Sequence, residues 1–418
     1  MTTRTMRILF VSAYFPPEMG APAVRVYEMA RRWAKEGHDV RVLTGFPNHP
    51  TGVIPDRYRK HWSRGLMREV VDGIWVTRCW LFPSPNRKPW QRILNYSSFW
   101  LSSSIVGPWL DRPDIVLATS PHLLTGLTGW WLGKIFRVPF LLEIRDLWPE
   151  SLVASGVTRE KTFLTRCLRR LARFLYRRAA RIVAVTEPIA RRIQRDWGVS
   201  EDRLSLIEHG VDGERFRPMP ETTWPREFSD LNGQRVVSYI GTLGAAQGLA
   251  TLLEAAQQVA AHDPQILFLL VGEGTEKEAL QSAAARRLFK NVRFVSQRPR
   301  EEIPQILNRS ALCVACLKPG ELFEGVMPTK ILEYLACGRP VVLSGSGHAG
   351  RIVEESGGGL VVQPGDPGAL ARAILTLSRD SELRRRCAEN GRRYVLKRFN
   401  LDDEARCYLD QFSRMVKG

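Results

Sequence analysis

Val236-Val237-Ser238-Tyr239-Ile240-Gly241-Thr242-Leu243-Gly244 is a short, largely apolar run that closes on a glycine loop. A continuous run of this length suits a strand covered on both faces, the hallmark of a parallel sheet. Glycine directly after such a strand lets a ligand or a second backbone approach closely. The figure repeats at 266–271, which runs into Gly272-Glu273-Gly274. Helical stretches are expected at 249–261, 276–287, 329–337 and 367–377. Strands are expected at 292–295, 311–316, 340–343 and 359–362. Alternation of this kind specifies an α/β unit with a doubly wound parallel sheet.

Upstream the same alternation has already run once. Apolar runs at 8–11, 39–43, 74–76, 115–118, 140–143 and 181–185 read as strands, and 25–35 as an amphipathic helix. A chain of 418 residues is also too long for one ordinary domain. Two Rossmann-like domains are therefore expected, at 1–215 and 235–400, with a cleft between them. The stretch 216–234, holding Pro218, Pro220 and Pro225 without an apolar period, reads as a linker. A last helix at 401–418 is expected to pack back on the first domain.

The apolar share of 44% supports packed cores, and the net charge of +18 favours anionic partners. Seven scattered cysteines suggest no disulfide framework, so a reducing, cytoplasmic setting is expected. Cys313 and Cys316 have C-x-x-C spacing inside an apolar run, which reads as a buried strand. The first apolar run is too short for a signal sequence. No stretch of about 20 apolar residues appears, the nearest approach being 93–110. A nucleic-acid-binding protein would show a recognition motif, and none is visible. A dehydrogenase would show G-x-G-x-x-G after its first strand, and these loops lack it.

Ligands of open parallel sheets sit beyond the carboxyl ends of the strands, so the chemistry should lie in those loops. After the first strand, Pro16-Pro17-Glu18-Met19-Gly20 leads to Arg25 on a helix, and Gly20 offers backbone to a phosphate or sugar. Thr119-Ser120-Pro121-His122 follows another strand, and His122 is placed to hydrogen-bond a sugar or carry a proton. Glu143-Ile144-Arg145-Asp146-Leu147-Trp148-Pro149-Glu150 offers carboxylates for hydroxyls and an indole face for a sugar ring. In the second half, Pro328-Thr329-Lys330 opens a helix whose free N–H groups and dipole suit an anion. Lys330 opposes that dipole, which makes sense if a diphosphate sits there. Glu333, one turn on, is placed to accept from ribose hydroxyls.

With this segment the chain resembles retaining glycosyltransferases of the GT-B fold, family 4. The pattern Pro328-Thr329-Lys330-x-x-Glu333-Tyr334-x-Ala336-x-Gly338-x-Pro340 is similar to the family's donor-site signature. Pro16-Pro17-Glu18, Asp146-Leu147-Trp148-Pro149-Glu150-Ser151 and Gly241-Thr242-Leu243-Gly244-x-x-Gln247-Gly248 look like the bacterial fucosaminyl- and colanic-acid-type branch of envelope polysaccharide assembly.

The resemblance implies a nucleotide-sugar donor, UDP-linked, with an N-acetylated amino sugar as one candidate, and a lipid-linked or saccharide acceptor of O-antigen, capsule or exopolysaccharide. Donor binding would fall to Gly20, Gly241, Thr242, Gly244, Gln247, Gly272, Gly274, Gln297, Pro328, Thr329, Lys330 and Glu333. His122, Lys330 and Asp146 would serve catalysis, and Arg25, Arg145, Trp148 and Glu150 the acceptor side. No metal and no cofactor is expected. Thr242 and Gln247 stand where many members carry an arginine and a lysine, so Lys330 would take more of the diphosphate charge, with His348 or Arg351 as helpers. A nucleotide-sugar epimerase on the same two-domain plan is the alternative; a basic nucleic-acid-binding protein is a reading of another class.

The basic charge is concentrated: 159–195 holds twelve Lys/Arg and two acids. Leu164, Leu168, Leu171 and Leu175 keep helical spacing among Arg166, Arg169, Arg170, Arg173, Arg177 and Arg178. Such a helix suits an anionic membrane surface, with Trp90, Phe99, Trp100, Trp109, Trp130 and Trp131 as interfacial anchors. A peripheral position on the inner face of the cell membrane is expected.

Overall fold

The computed structural model describes residues 5–85, 88–120, 122–154, 158–219 and 223–417. Pro121 and Pro220, which figured in the sequence reading, lie outside the described residues. The chain divides into two compact units, Met1–Glu208 with Glu404–Gly418, and His209–Asp403.

The first unit is built on an eight-stranded sheet. Its strands are β1 (Arg7–Val11), β2 (Asp39–Gly45), β3 (Leu66–Val71), β4 (Ile74–Cys79), β5 (Ile115–Thr119), β6 (Phe140–Ile144), β7 (Arg181–Ala184) and β8 (Leu204–Leu206). They lie in the order β3-β4-β2-β1-β5-β6-β7-β8, and all neighbours are parallel except the β3–β4 hairpin. The central strands β1, β5 and β6 are buried throughout or nearly so, as runs such as Ile-Val-Leu-Ala demand when helices cover both faces.

The second unit holds a six-stranded, wholly parallel sheet. Its strands are β9 (Arg235–Ile240), β10 (Ile266–Val271), β11 (Val292–Val295), β12 (Leu312–Cys316), β13 (Val341–Ser344) and β14 (Gly359–Val362), in the order β11-β10-β9-β12-β13-β14. Strand order reverses between β9 and β12 here, and between β1 and β5 in the first unit. At such a reversal, consecutive crossovers leave in opposite directions and open a crevice beyond the strand ends. The loops after β1, β5, β9 and β12 are thus the ones the fold presents to ligands.

Three structural differences from the sequence reading have physical causes. The stretch 216–234, read as a linker, belongs to the second unit: Phe216, Trp224, Phe228 and Leu231 are buried in its core. Those four side chains follow no regular period, so the burial left no pattern to read. The first unit ends at Glu208 rather than near 215. The basic helix Phe163–Arg178 turns Leu168, Leu171 and Leu175 into the core of the first unit, so its apolar stripe is not free for lipid. Of the expected aromatic anchors, Phe99 is also core, and Trp130 packs edge-on to Phe174 at 4.8 Å.

From Glu404 on, the helix Leu401–Lys417 belongs to the first unit. Trp33 donates its indole N–H to the Ala405 carbonyl at 3.0 Å and stacks near Tyr408 and Phe412. Cys313 and Cys316 are buried on opposite faces of β12, in separate cores, and burial raises both thiols, Cys316 to about 12, so neither is a reactive thiolate. Among the described residues no group of three His, Cys, Asp or Glu is arranged to hold a metal, and no helix is long and apolar enough to cross a membrane.

Candidate active site

In the second unit the site grows from the end of β9. Tyr239 is buried near the strand end and donates its hydroxyl to the Thr242 carbonyl at 2.6 Å, which pins the loop. Gly241 and Gly272 close the neighbouring strands with φ of 147° and 153°, values that L side chains rarely adopt. A Cβ at Gly272 would fall 1.9 Å from the Gly241 carbonyl oxygen, and one at Gly241 would fall 2.5 Å from Lys330 Nζ. These glycines therefore let two loops and a lysine share one small space.

Lys330 comes from the first turn of the helix Thr329–Ala336, which Pro328 precedes in extended backbone and no side chain caps. Tyr334, on the same helix, locks it to β9: its hydroxyl accepts from Ile240 N–H at 2.8 Å and donates to the Ile240 carbonyl at 3.0 Å. Lys330 Nζ lies 2.6 Å from the Tyr239 hydroxyl and 3.9 Å from its ring centre, with no carboxylate in salt-bridge range among the described residues. Burial lowers its pKa to about 7. The nearby Glu333 is committed to Arg300, so this half-buried amine is one that an incoming anion would complete.

Other donor-side expectations fall around this point. Gly244 is buried, Gln247 ends the one-turn helix Ala245–Gln247, and Thr242 is exposed. Gln297 is half-buried in the loop after β11, and Gly274 packs so tightly that a Cβ would meet the Leu243 carbonyl at 2.2 Å. Glu333 differs from its expected free state, since Arg300 ion-pairs with it at 3.0 Å. A ribose would have to share that carboxylate with the guanidinium. His348 is buried in the helix Gly347–Ser356, while Arg351 is exposed on it. Sequence reasoning passed over Lys318, exposed just beyond β12, whose backbone N–H donates to the Ala246 carbonyl at 3.0 Å. Its placement beside the Gln247 turn puts a cation where the loop itself carries none, a proximity that only the strand order reveals.

In the first unit the loops after β1 and β5 meet in an aromatic cluster. His122 stacks on Tyr96 with ring centres 4.4 Å apart, and Tyr14 meets its edge at 6.2 Å. Thr125 Oγ1 lies 2.8 Å from His122 Nδ1. Burial lowers the His122 pKa to about 3, so the imidazole stays neutral and offers a hydrogen bond rather than a proton charge. Trp148 stands 6.3 Å from Tyr96, and Asp146 and Arg145 are half-buried beside it in sequence. Burial raises the Asp146 carboxyl and lowers the Arg145 guanidinium, whose Nε and Nη1 are enclosed without a hydrogen-bond partner. Glu150 opens the helix Glu150–Ala154, and burial raises its pKa; Arg169 is only loosely near at 3.9 Å.

Two residues stand differently from the sequence reading. Arg25, expected on the acceptor side, is buried and fully engaged inside the fold: it pairs with Glu143 at 2.8 Å, with Glu404, and with the Tyr408 hydroxyl at 3.0 Å. A guanidinium so enclosed and so engaged serves the fold rather than a ligand. Glu18, quoted only within a motif, is buried with Oε1 accepting from Asn48 N–H at 3.0 Å and His49 N–H at 2.9 Å, while Oε2 has no partner. Burial raises its pKa to about 7, against the opposing pull of those backbone donors. Gly20 ends the same loop as the extended residue before the helix Ala21–Lys35, again without a side-chain cap.

Comparison with known proteins bears on both halves. Residues 221–394 match the model for glycosyl transferases group 1, and residues 20–210 the model for the glycosyl transferase 4-like domain. The chain belongs to glycosyltransferase family 4, with the GT-B fold. This glycosyltransferase is 24% identical over 92% of its length to the putative colanic acid biosynthesis glycosyl transferase WcaI of Escherichia coli, of which 96% is covered. It is 27% identical over 75% of its length to the probable glycosyltransferase WbjE of Pseudomonas aeruginosa, covering 78% of that protein. Among solved structures, sucrose-phosphate synthase from Thermosynechococcus elongatus superposes with TM-score 0.75 at 21% identity, over 98% of each chain. HepE of Anabaena, in complex with UDP and glucose, superposes at 0.72 and 18% identity, over 98% of this glycosyltransferase and all of that chain.

Proposed function

We propose that the enzyme transfers a sugar, with retention at the anomeric carbon, from a UDP-linked donor to a lipid-linked or saccharide acceptor in envelope polysaccharide assembly. The observation that carries the donor half is Lys330: an ammonium without an acid partner, over Tyr239, beside the Gly241 loop and at a helix N-terminus. A diphosphate is the anion that such a point recognises, through charge and backbone N–H groups together. HepE has been solved with UDP and with UDP-glucose, which favours uridine as the base. The acceptor class follows WcaI, named for colanic acid biosynthesis.

Breaking the anomeric bond places negative charge on the leaving diphosphate while the sugar becomes cationic. Lys330 and the first-turn N–H groups of Thr329–Ala336 stabilise that charge as it develops, with no metal called for. Glu333, held by Arg300, orients the ribose. The acceptor hydroxyl attacks from the face the diphosphate leaves, which gives retention. His122, neutral, hydrogen-bonds the donor sugar; Asp146, whose pKa burial raises, accepts from the acceptor hydroxyl; Trp148 stacks on the acceptor ring. Arg145, with two enclosed N–H donors unpaired, suits a phosphate or carboxylate on the acceptor.

Turnover of a panel of UDP-, GDP- and dTDP-sugars, with product configuration read by NMR, tests the whole reading. UDP-sugars as the preferred donors and an axial product from an axial donor are expected. An inverted product, or turnover unchanged by Lys330→Ala, would refute it.

A further inference from the structure

Three helices of the first unit pack in sequence: Pro89–Val106 against Leu123–Phe136, and that against Phe163–Arg178. The first carries an outward stripe of Trp90, Ile93, Leu94, Leu101 and Ile105, three to four residues or a multiple of a turn apart, and Trp109 continues it. Ile105 is 68% and Trp109 81% exposed, values that a core-facing residue never shows. Trp131 extends the ridge onto the second helix, held there by its indole N–H donating to the Ser104 carbonyl at 3.2 Å. An exposed apolar surface of this extent marks an interaction site.

Its electrostatic surroundings are one-sided. From 73 to 110 the sequence contains no acidic residue. The third helix, Phe163–Arg178, likewise has none, and it turns Arg166, Arg170, Arg173 and Arg177 outward while Leu168, Leu171 and Leu175 face the core. Trp130 and Phe174, edge-on at 4.8 Å, join the second helix to this basic one, and Arg178 lies over the Phe174 ring. The result is an apolar, tryptophan-studded ridge that slopes into a row of guanidinium groups.

We infer that this three-helix face docks on an anionic lipid bilayer, the ridge entering the headgroup boundary and the arginines lying on the lipid phosphates. Tryptophan sits favourably at that boundary, and each basic group near the surface adds to the attraction. The charge complementarity selects lipid: none of the three helices carries an acidic residue, and the face they form presents apolar groups and cations with serines between them. The inference extends the lipid-linked acceptor reading by naming the surface on which such an acceptor is met. Vesicle binding needs neither donor nor acceptor, so either reading can fail alone.

Flotation of the full-length protein with vesicles of phosphatidylcholine and phosphatidylglycerol, against phosphatidylcholine alone, tests it. The protein is expected to float with the anionic vesicles and to be released by salt. Ile105→Glu with Trp109→Glu, both at exposed positions that the fold does not need, should weaken partition about tenfold or more. Arg170→Gln with Arg173→Gln should erase the preference for phosphatidylglycerol. Wild type left unbound beneath the anionic vesicles, or the Glu variant floating as wild type does, would overturn the inference. So would a wild-type dimer that dissociates in the Glu variant while neither protein floats, since the face would then serve a second copy.

Discussion

The ammonium of Lys330 rests 2.6 Å from the hydroxyl of Tyr239, whose own proton is given to the Thr242 carbonyl. One tyrosine thus ties the site's lysine to its glycine loop. Lys330→Ala should lower kcat by about 100- to 1,000-fold, as loss of one donor to a developing oxyanion does elsewhere. Tyr239→Phe keeps the ring beneath the amine and removes both hydrogen bonds. It should lower kcat/KM by about tenfold, the equivalent of about 1.4 kcal/mol. Steady-state kinetics on both variants checks the order of the two effects.

The lysine also sets a pH dependence. Burial brings its pKa from 10.5 to about 7, and only the charged form attracts a diphosphate. Affinity for UDP in the free enzyme should therefore fall as pH rises through about 7, and Lys330→Arg should flatten the curve. Stability should run the other way: a depressed amine lets the unfolded chain bind the extra proton, so this site's contribution improves as pH climbs from about 7 to 10.5. Calorimetric UDP titrations and thermal melts across that window measure the two trends separately.

Glu18 has the opposite sign. Its carboxyl is raised from 4.5 to about 7 by burial, so the folded state holds the proton more tightly than the unfolded chain. Its contribution to stability is present in full below pH 4.5 and is lost as pH rises through about 7. Glu18→Gln, which cannot ionise and can still accept from Asn48 and His49, should melt higher than wild type above neutrality. The gap between the two melting curves should close in acid.

Removing Arg25 should do structural rather than kinetic harm. Arg25→Met leaves Glu143 and Glu404 buried without their cation, at a cost of about 3–5 kcal/mol. Urea unfolding should show that loss, and limited proteolysis should find cleavage sites newly open in the helix Leu401–Lys417. A variant that unfolds normally but no longer responds to acceptor would instead restore Arg25 to the binding surface.

How much of this could be read from the sequence depends on the range of the forces involved. The strands at 236–240, 266–271 and 115–118 were legible because a parallel strand buried on both faces is apolar at every position. The glycines at 241 and 272 were legible as loop signals, but not their reason, which is the carbonyl and the amine packed against them. The helix Pro89–Val106 was not legible as a helix: its outer side is as apolar as its inner side, and serines occupy the rest, so no period stands out. Arg25 was misplaced because its partners lie 118 and 379 residues away. Glu333 was seen as a ligand-facing acid, and its pairing with Arg300 depends on a loop that no local pattern locates. Lys318 was missed for the same reason, its neighbours being set by strand order.

Glu404, Tyr408 and Phe412 complete the interior of the unit that Met1–Glu208 begins. During synthesis, therefore, the N-terminal half emerges from the ribosome long before the last segment it needs. It must wait, with Arg25 and Glu143 still lacking two of their companions, until the whole of His209–Asp403 has been made. A nascent chain stalled at residue 403 would hold every residue of the second unit and still lack the closing segment of the first. The segment from Glu404 on thus seals the first unit, whose interior can close only after the second has been synthesised.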